Sequence, residues 1–218
     1  MKKILILGAS GRTGRLILDY ALRKGYKVNA LVRNPDKIQP REGLTLFKGT
    51  PENPEDIDHA MEGTQGVLVA LNNVRTSDFP WAKQVSPPRF MANAVKGTVI
   101  AMEKRGLRRI VIISALGVGD SFSTAPILLR WLEKYTNVGK TYDDHNWVDQ
   151  EIRDTDTDWT LVRAVGLSNS DKSKTLQVTE VGGPKPALII SRMNVAKFAV
   201  DALENDAYIH KAPIIYEK

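Results

Sequence analysis

The residues best suited to chemistry form one short loop, Gly8-Ala9-Ser10-Gly11-Arg12-Thr13-Gly14, which follows the apolar run 4–7 and opens an amphipathic stretch. Glycines at its first, fourth and seventh places leave backbone N–H groups bare. The start of a helix behind them favours negative charge, so the loop is suited to cradle a dinucleotide's pyrophosphate. The order is a relative of the G-x-G-x-x-G fingerprint. Alone it would also describe an ordinary tight turn. Here a second apolar run, 28–32, follows the helical stretch and completes a β-α-β unit, the context that nucleotide binding requires. Gly8, Ser10, Gly11, Arg12, Thr13 and Gly14 are therefore candidate cofactor-binding residues.

The end of the second run bears on which dinucleotide fits. An NAD-preferring site carries Asp or Glu there to accept the ribose hydroxyls. This chain has Leu31-Val32-Arg33-Asn34-Pro35-Asp36, with a cation in that place and the first acid three positions later. A guanidinium offers a fork of donors to a 2′-phosphate, and Arg12 can approach the same phosphate from the loop. By itself Arg33 would pass for a surface residue after a strand. Two arginines in the two expected places favour NADP(H) over NAD(H).

Other constellations are weaker. Asp143-Asp144-His145 has metal-ligand chemistry, but consecutive helical residues diverge by about 100° and share no face, so no metal site is expected. His145 can still line a substrate pocket. Trp131, Tyr135 and Trp147, spaced near whole helical turns, read as core. Phe79 and Trp81 lie in a polar loop, where a ring could cover a flat substrate or simply anchor a lid.

The elements that must position these residues alternate between strand and helix. Strands are expected at 4–7, 28–32, 44–48, 67–71, 110–114 and 160–163, and helices at 14–24, 54–61, 88–104 and 130–153. Such alternation, with strands rich in Val, Ile and Leu, specifies a Rossmann-like α/β fold: a doubly wound parallel sheet with helices on both faces. Ligands then sit beyond the strands' carboxyl ends. Farther on, 175–178 and 187–190 flank Gly182-Gly183-Pro184 and suggest a hairpin-like pair. Ser191 should cap a helix over 192–203, and a last strand covers 213–216. The chain reads as a single domain, 1–218, with a small C-terminal substrate lobe at about 164–218.

Composition closes off several classes. There is no cysteine, which excludes disulfides, thiolate metal sites and a cysteine nucleophile, and makes cytoplasmic residence the default. No apolar run reaches membrane-span length, and the N-terminal run stops after four residues in the glycine loop, so neither a membrane partner nor a leader is expected. The net charge of +6 is scattered in short groups interleaved with acids, which argues against nucleic acid.

Across nearly its whole length the chain resembles the atypical short-chain dehydrogenases/reductases, and among them the NAD(P)H-binding proteins similar to biliverdin-IXβ (flavin) reductase. Sensors of the nitrogen-metabolite regulator type belong to the same wider set. The resemblance rests on the glycine loop, Arg33, Ser86-Pro87-Pro88 opening a long helix, the run from Arg109 through Ser114-Ala115-Leu116-Gly117 to Asp120, and Ile190-Ser191-Arg192 leading into Asn194-Val195-Ala196. It implies that Ser114, after the fifth strand, stands near the nicotinamide and hydrogen-bonds a substrate carbonyl or the cofactor's carboxamide. A serine merely closing a strand is the plainer reading. It implies adenine contacts from Thr50, where the family often has Asp, or from Leu71, Asn72 and Asn73.

Two family features are absent. The Tyr-x-x-x-Lys pair, which lowers a phenol's pKa for proton transfer, is missing from its usual place: Lys140 lies five positions after Tyr135, and Asn146 stands four after Tyr142. Tyr20 and Lys24 have the spacing but sit on the helix after the glycine loop. Gly166 aligns with the histidine that biliverdin-type reductases carry after the sixth strand. The expected function is an NADPH-dependent reductase that transfers a hydride to a small or flat acceptor such as a flavin or quinone. The alternative is a non-catalytic NADP(H)-binding regulator or redox sensor, and an epimerase is disfavoured by the missing tyrosine.

Overall fold

The computed structural model describes residues 2–170 and 174–218. The first strand, β1 (Lys3–Leu7), is apolar from Ile4 to Leu7 because both of its faces are covered there. Ile4 and Ile6 enter one core while Leu5 and Leu7 enter the other, the period of two that a strand imposes. The chain continues through α1 (Arg12–Arg23), β2 (Lys27–Val32), β3 (Leu44–Lys48), α2 (Pro54–Ala60), β4 (Val67–Val69), α3 (Phe90–Lys104) and β5 (Arg109–Ala115). It ends with α4 (Ile127–Tyr135), α5 (Val138–Arg153), β6 (Asp158–Ala164), β7 (Gly166–Ser168), β8 (Leu176–Thr179), β9 (Ile189–Ser191), α6 (Arg192–Ala202) and β10 (Ile214–Glu217).

Eight strands form one sheet in the order β3-β2-β1-β4-β5-β6-β10-β8, parallel except for the antiparallel edge strand β8. The order runs outward from β1 through β2 to β3 and then returns to β4 on β1's other side. That reversal leaves a crevice beyond Leu7 and Val69, where a doubly wound sheet receives its ligands. α1 and α6 cover one face, and α2, α3 and α5 cover the other. Among the described residues, no helix is long and apolar enough to cross a membrane.

Local chemistry explains several boundaries. Asn53 and Ser191 accept hydrogen bonds from Glu55 N and Asn194 N and cap α2 and α6. The first turn of α3 is capped from a distance: the buried carboxylate of Asp144, on α5, accepts from the N–H groups of Met91 and Ala92, each at 2.9 Å.

Four expectations are corrected. The single helix over 130–153 is two helices, broken at Thr136, whose hydroxyl donates to Leu132 O and accepts from Val138 N. The turn is tight enough that a Cβ on Gly139 would lie 2.1 Å from Glu133 O. The hairpin around Gly182-Gly183-Pro184 does not form: β8 pairs with β10, and β9 pairs in parallel with β7. Pro184 and Pro186 lack the N–H groups that a returning partner strand would donate. Trp131 and Tyr135 are exposed rather than core, because α4 buries none of its residues. The fourth strand also stops two residues short of the expected 71, which frees Ala70 and Leu71 to line the crevice.

Candidate functional site

The glycine loop is built from its own carbonyls. Gly8 has φ +87°, and a Cβ there would stand 2.5 Å from Ala70 O; one on Gly14 would stand 1.9 Å from Gly8 O. These two glycines let the loop pack against β4 and let α1 pack against the loop. Gly11 differs. Its φ of −74° suits any residue, and its Cβ would meet only Gly8 O, at 3.3 Å. It caps α1 without a side-chain hydrogen bond, and the helix has no acid in its first turn. The N–H groups at the start of α1 therefore open onto a cleft of roughly 490 Å³.

Gly8, Ser10, Gly11, Arg12 and Thr13 form the floor of this cleft, and Arg33 and Thr50 border its far end. Leu71 and Asn72 form the wall beyond β4, while Gly14 lies beneath the loop rather than in the cleft. Arg33 is exposed just past the end of β2 and has no ion-pair partner among the described residues. Arg12 is engaged: its guanidinium donates two 2.8 Å hydrogen bonds to the Asp78 carboxylate, which holds that carboxyl below its ordinary range.

A second cavity, of roughly 740 Å³, adjoins the first and shares Arg12, Thr13, Leu71, Asn72, Asp78 and Arg192 with it, so the two form one groove. Its far part is apolar, with Leu129 and Leu132 from α4 facing Val165, Leu167 and Leu188. Ser114, near the end of β5, and Tyr142 and His145, from α5, supply the polar groups there. The buried Ser114 Oγ and His145 Nδ1 have no hydrogen-bond partner among the described residues.

Burial sets the electrostatics of this cavity. It lowers the His145 pKa to about 4, against a smaller opposing effect of Asp144, so the imidazole is neutral near pH 7. It raises the Tyr142 phenol, helped by the carboxylate of Glu133. Glu133 itself is pushed up to about 7 by burial and then by Asp143. Gly117 makes the approach of these two possible: at φ +103° its Cβ would lie 2.6 Å from Glu133 Oε1 and 3.1 Å from Tyr142 Cε1.

The run Asp143-Asp144-His145 points three ways: Asp143 outward, Asp144 to the start of α3, and His145 into the cavity. Behind the cavity the fully buried guanidinium of Arg163 pairs with Asp120 and, at 2.8 Å, with Asp149, tying the segment after β5 to α5. Gly166 leaves no room for a histidine, since a Cβ there would lie 2.8 Å from Leu188 O. Tyr20 and Lys24 both reach Asp201 on α6, away from the groove. Asp78, Arg75, Arg192 and Glu133 were not singled out from the sequence as site residues. Only Arg192 had a signal, as part of the Ile190-Ser191-Arg192 resemblance.

Comparison with known proteins agrees with this fold. The NAD(P)H-binding family matches residues 8–206. The photosystem II assembly factor Ycf39 of Synechocystis is 24% identical over 98% of this chain, which spans 62% of that protein's length. An uncharacterised chloroplastic protein of Arabidopsis thaliana is 27% identical, over 93% of this chain and 72% of the relative. Among solved structures, a short-chain dehydrogenase/reductase from Veillonella parvula, in complex with NADP, superposes with a TM-score of 0.78 at 18% identity, over 99% of this chain and 94% of the other. ChuY, an anaerobillin reductase from Escherichia coli O157:H7, superposes with a TM-score of 0.80 at 17% identity, over 99% and 97% of the two chains. At these identities the superpositions speak for the fold. The fold is the Rossmann-like one of short-chain dehydrogenases/reductases, and the chain belongs to the NAD(P)H-binding family.

Proposed function

We propose that the protein is an NADPH-dependent reductase that reduces a small, flat, apolar acceptor such as a flavin or quinone. The observation that carries this reading is the single groove, whose phosphate-suited end at the glycine loop runs without a break into an apolar cavity that Ser114 lines. The residues present fit the dinucleotide. The start of α1 is uncapped, Gly11 keeps the floor open, and the unpartnered Ser114 Oγ awaits a polar ligand atom.

Gly8, Ser10, Gly11 and Thr13 would hold the pyrophosphate, Arg12 and Arg33 the 2′-phosphate, and Thr50, Leu71 and Asn72 the adenosine side. No acid stands directly after β2, where it would repel that phosphate. When bound, the cofactor supplies a hydride. The protein's part is to stack two rings and exclude water, and this asks for little acid–base chemistry. Ser114 donates a hydrogen bond to the carboxamide or to an acceptor carbonyl. His145 is neutral and accepts or donates without changing charge. Residues of the 164–218 segment, Leu167 and Leu188, close the acceptor side with Leu129 and Leu132.

The test is a pair of titrations and an acceptor panel. NADPH should bind more tightly than NADH. Arg33→Ala should weaken NADPH ten- to a hundred-fold, the worth of a charge-assisted bond of ~1.5–3 kcal/mol, and leave NADH nearly unchanged. Flavins and quinones should then be reduced at the expense of NADPH. Tight NADPH binding with no oxidation by any acceptor would identify a redox sensor instead.

A further inference from the structure

Beside the mouth of the apolar cavity, α4 places large side chains in solvent. Ile127 and Leu128 are 78% and 68% exposed, and Trp131 and Tyr135 follow one and two turns on. An apolar stripe at this spacing ordinarily faces a core, yet none of the helix is buried. The segment 79–85 widens the same face with exposed Phe79, Trp81 and Val85. Ring contacts link the two pieces, Phe79 to Trp81 at 5.2 Å, Trp81 to Trp131 at 6.3 Å and Trp131 to Tyr135 at 5.7 Å between centroids. Asn137 Nδ2 also donates to Trp81 O at 2.8 Å.

Within α4 and the segment 79–85 the exposed charges are cations, and the exposed Asp78 beside Phe79 is paired with Arg12. Lys83 and Lys134 are exposed and Arg130 is partly so, whereas the one acid of α4, Glu133, turns inward beside Gly117 and Tyr142. We infer that this face docks on the surface of an anionic lipid bilayer and holds the cavity mouth against it. Trp and Tyr, each an apolar body with a polar tip, suit the bilayer interface, and a helix with aromatic and aliphatic residues on one face and cations beside them lies in that plane. Lysines near an anionic leaflet add attraction. A second copy of the chain is a poorer occupant, because a two-fold contact through this patch would set Lys83, Arg130 and Lys134 against the same cations. Such an anchor departs from the expectation of no membrane partner, which rested on the lack of a long apolar run, because docking on the surface requires no spanning segment. Leu128 belongs both to the exposed face and to the cavity lining. Resting on the reading of a flat apolar acceptor, the docked face would admit an acceptor with an alkyl tail directly from the bilayer.

Flotation of the full chain with vesicles tests this. The protein should float with vesicles of phosphatidylcholine and phosphatidylglycerol, more weakly as salt rises, and should not float with phosphatidylcholine alone. Ile127→Ser with Trp131→Ser should abolish flotation while NADPH binding shows that the fold is kept. Lys83→Gln with Lys134→Gln, both at exposed positions, should weaken it roughly twenty-five-fold, about fivefold per cation. Flotation equal on neutral vesicles, absent on anionic ones, or unaffected by both variant pairs would overturn the inference. So would a concentration-dependent dimer, seen by sedimentation velocity, that the same substitutions abolish. Flotation needs no turnover, so an inert enzyme that floats as described would sink the reductase reading and leave this one standing.

Discussion

Arg12 and Asp78 bridge the groove with two parallel 2.8 Å hydrogen bonds, joining the floor of the glycine loop to the segment after β4. Both side chains are largely exposed, so the pair adds little to stability despite its geometry. Its meaning is local. The carboxylate occupies the arginine that the proposed cofactor phosphate would use, and Arg75 and Arg192 lie close enough to help hold Asp78 ionised.

Replacing Asp78 with Asn removes a negative charge from the cleft and frees Arg12. NADPH should bind a few-fold more tightly to the variant, with a steeper dependence on salt, because one more cation is available to the phosphate. Calorimetry at two ionic strengths would show it. Weaker binding would mean that the pair clamps the bound cofactor rather than competing with it.

The three loop glycines should separate into two kinds. Gly14→Ala forces a Cβ to within 1.9 Å of Gly8 O, so it should cost about 3 kcal/mol or more and lower the melting temperature by roughly 6–12 °C. Gly11→Val has an ordinary φ and only one neighbouring atom at 3.3 Å, so the protein should keep its fold and lose NADPH. Circular dichroism together with a cofactor titration reads both. Normal NADPH binding by Gly11→Val would reduce the loop to a turn.

Ser114→Ala should keep NADPH affinity within a few-fold and slow turnover about tenfold. A positioning hydrogen bond is worth ~1–1.5 kcal/mol, whereas a general acid or base contributes roughly 100- to 10,000-fold. A loss beyond about a thousandfold would place the hydroxyl on a proton path. No loss would leave it a residue that closes β5.

Much of this architecture is legible in the sequence because it is local. The pattern of β1, the glycine loop and α1 lies within one continuous stretch, 3–23, and Arg33 follows directly on β2. The misread parts depend on distant partners. The break between α4 and α5 is the exception, a local one: the Thr136 hydroxyl satisfies the backbone there and Gly139 approaches Glu133 O closely. Trp131 and Tyr135 have core spacing but no element above them to bury them. Asp78 lies sixty-six residues from Arg12, and no local signal could have joined the two. Glu133 became notable only because the chain folds it against Gly117 and Tyr142.

Glu133 and His145 should oppose one another in the pH dependence of stability. The folded-state pKa of Glu133 is raised from 4.5 to about 7, so the native protein holds that proton more tightly than the unfolded chain, and stability from this group falls as pH rises from 4.5 to 7. The pKa of His145 is lowered from 6.5 to about 4, so the unfolded chain takes that proton more readily, and stability from this group falls as pH drops from 6.5 to 4. Across their shared window the two slopes nearly cancel, and the wild-type protein should show little net dependence from this cavity. Glu133→Gln removes one slope, so its melting temperature should fall as pH is lowered from 6.5 towards 4.5. His145→Gln removes the other, so its melting temperature should rise over the same interval. Melts of both variants between pH 4.5 and pH 7.5, each compared with the wild type, would show shifts of a few degrees in opposite directions. Slopes of the same sign would mean that one of the two side chains is not held in the buried position described above.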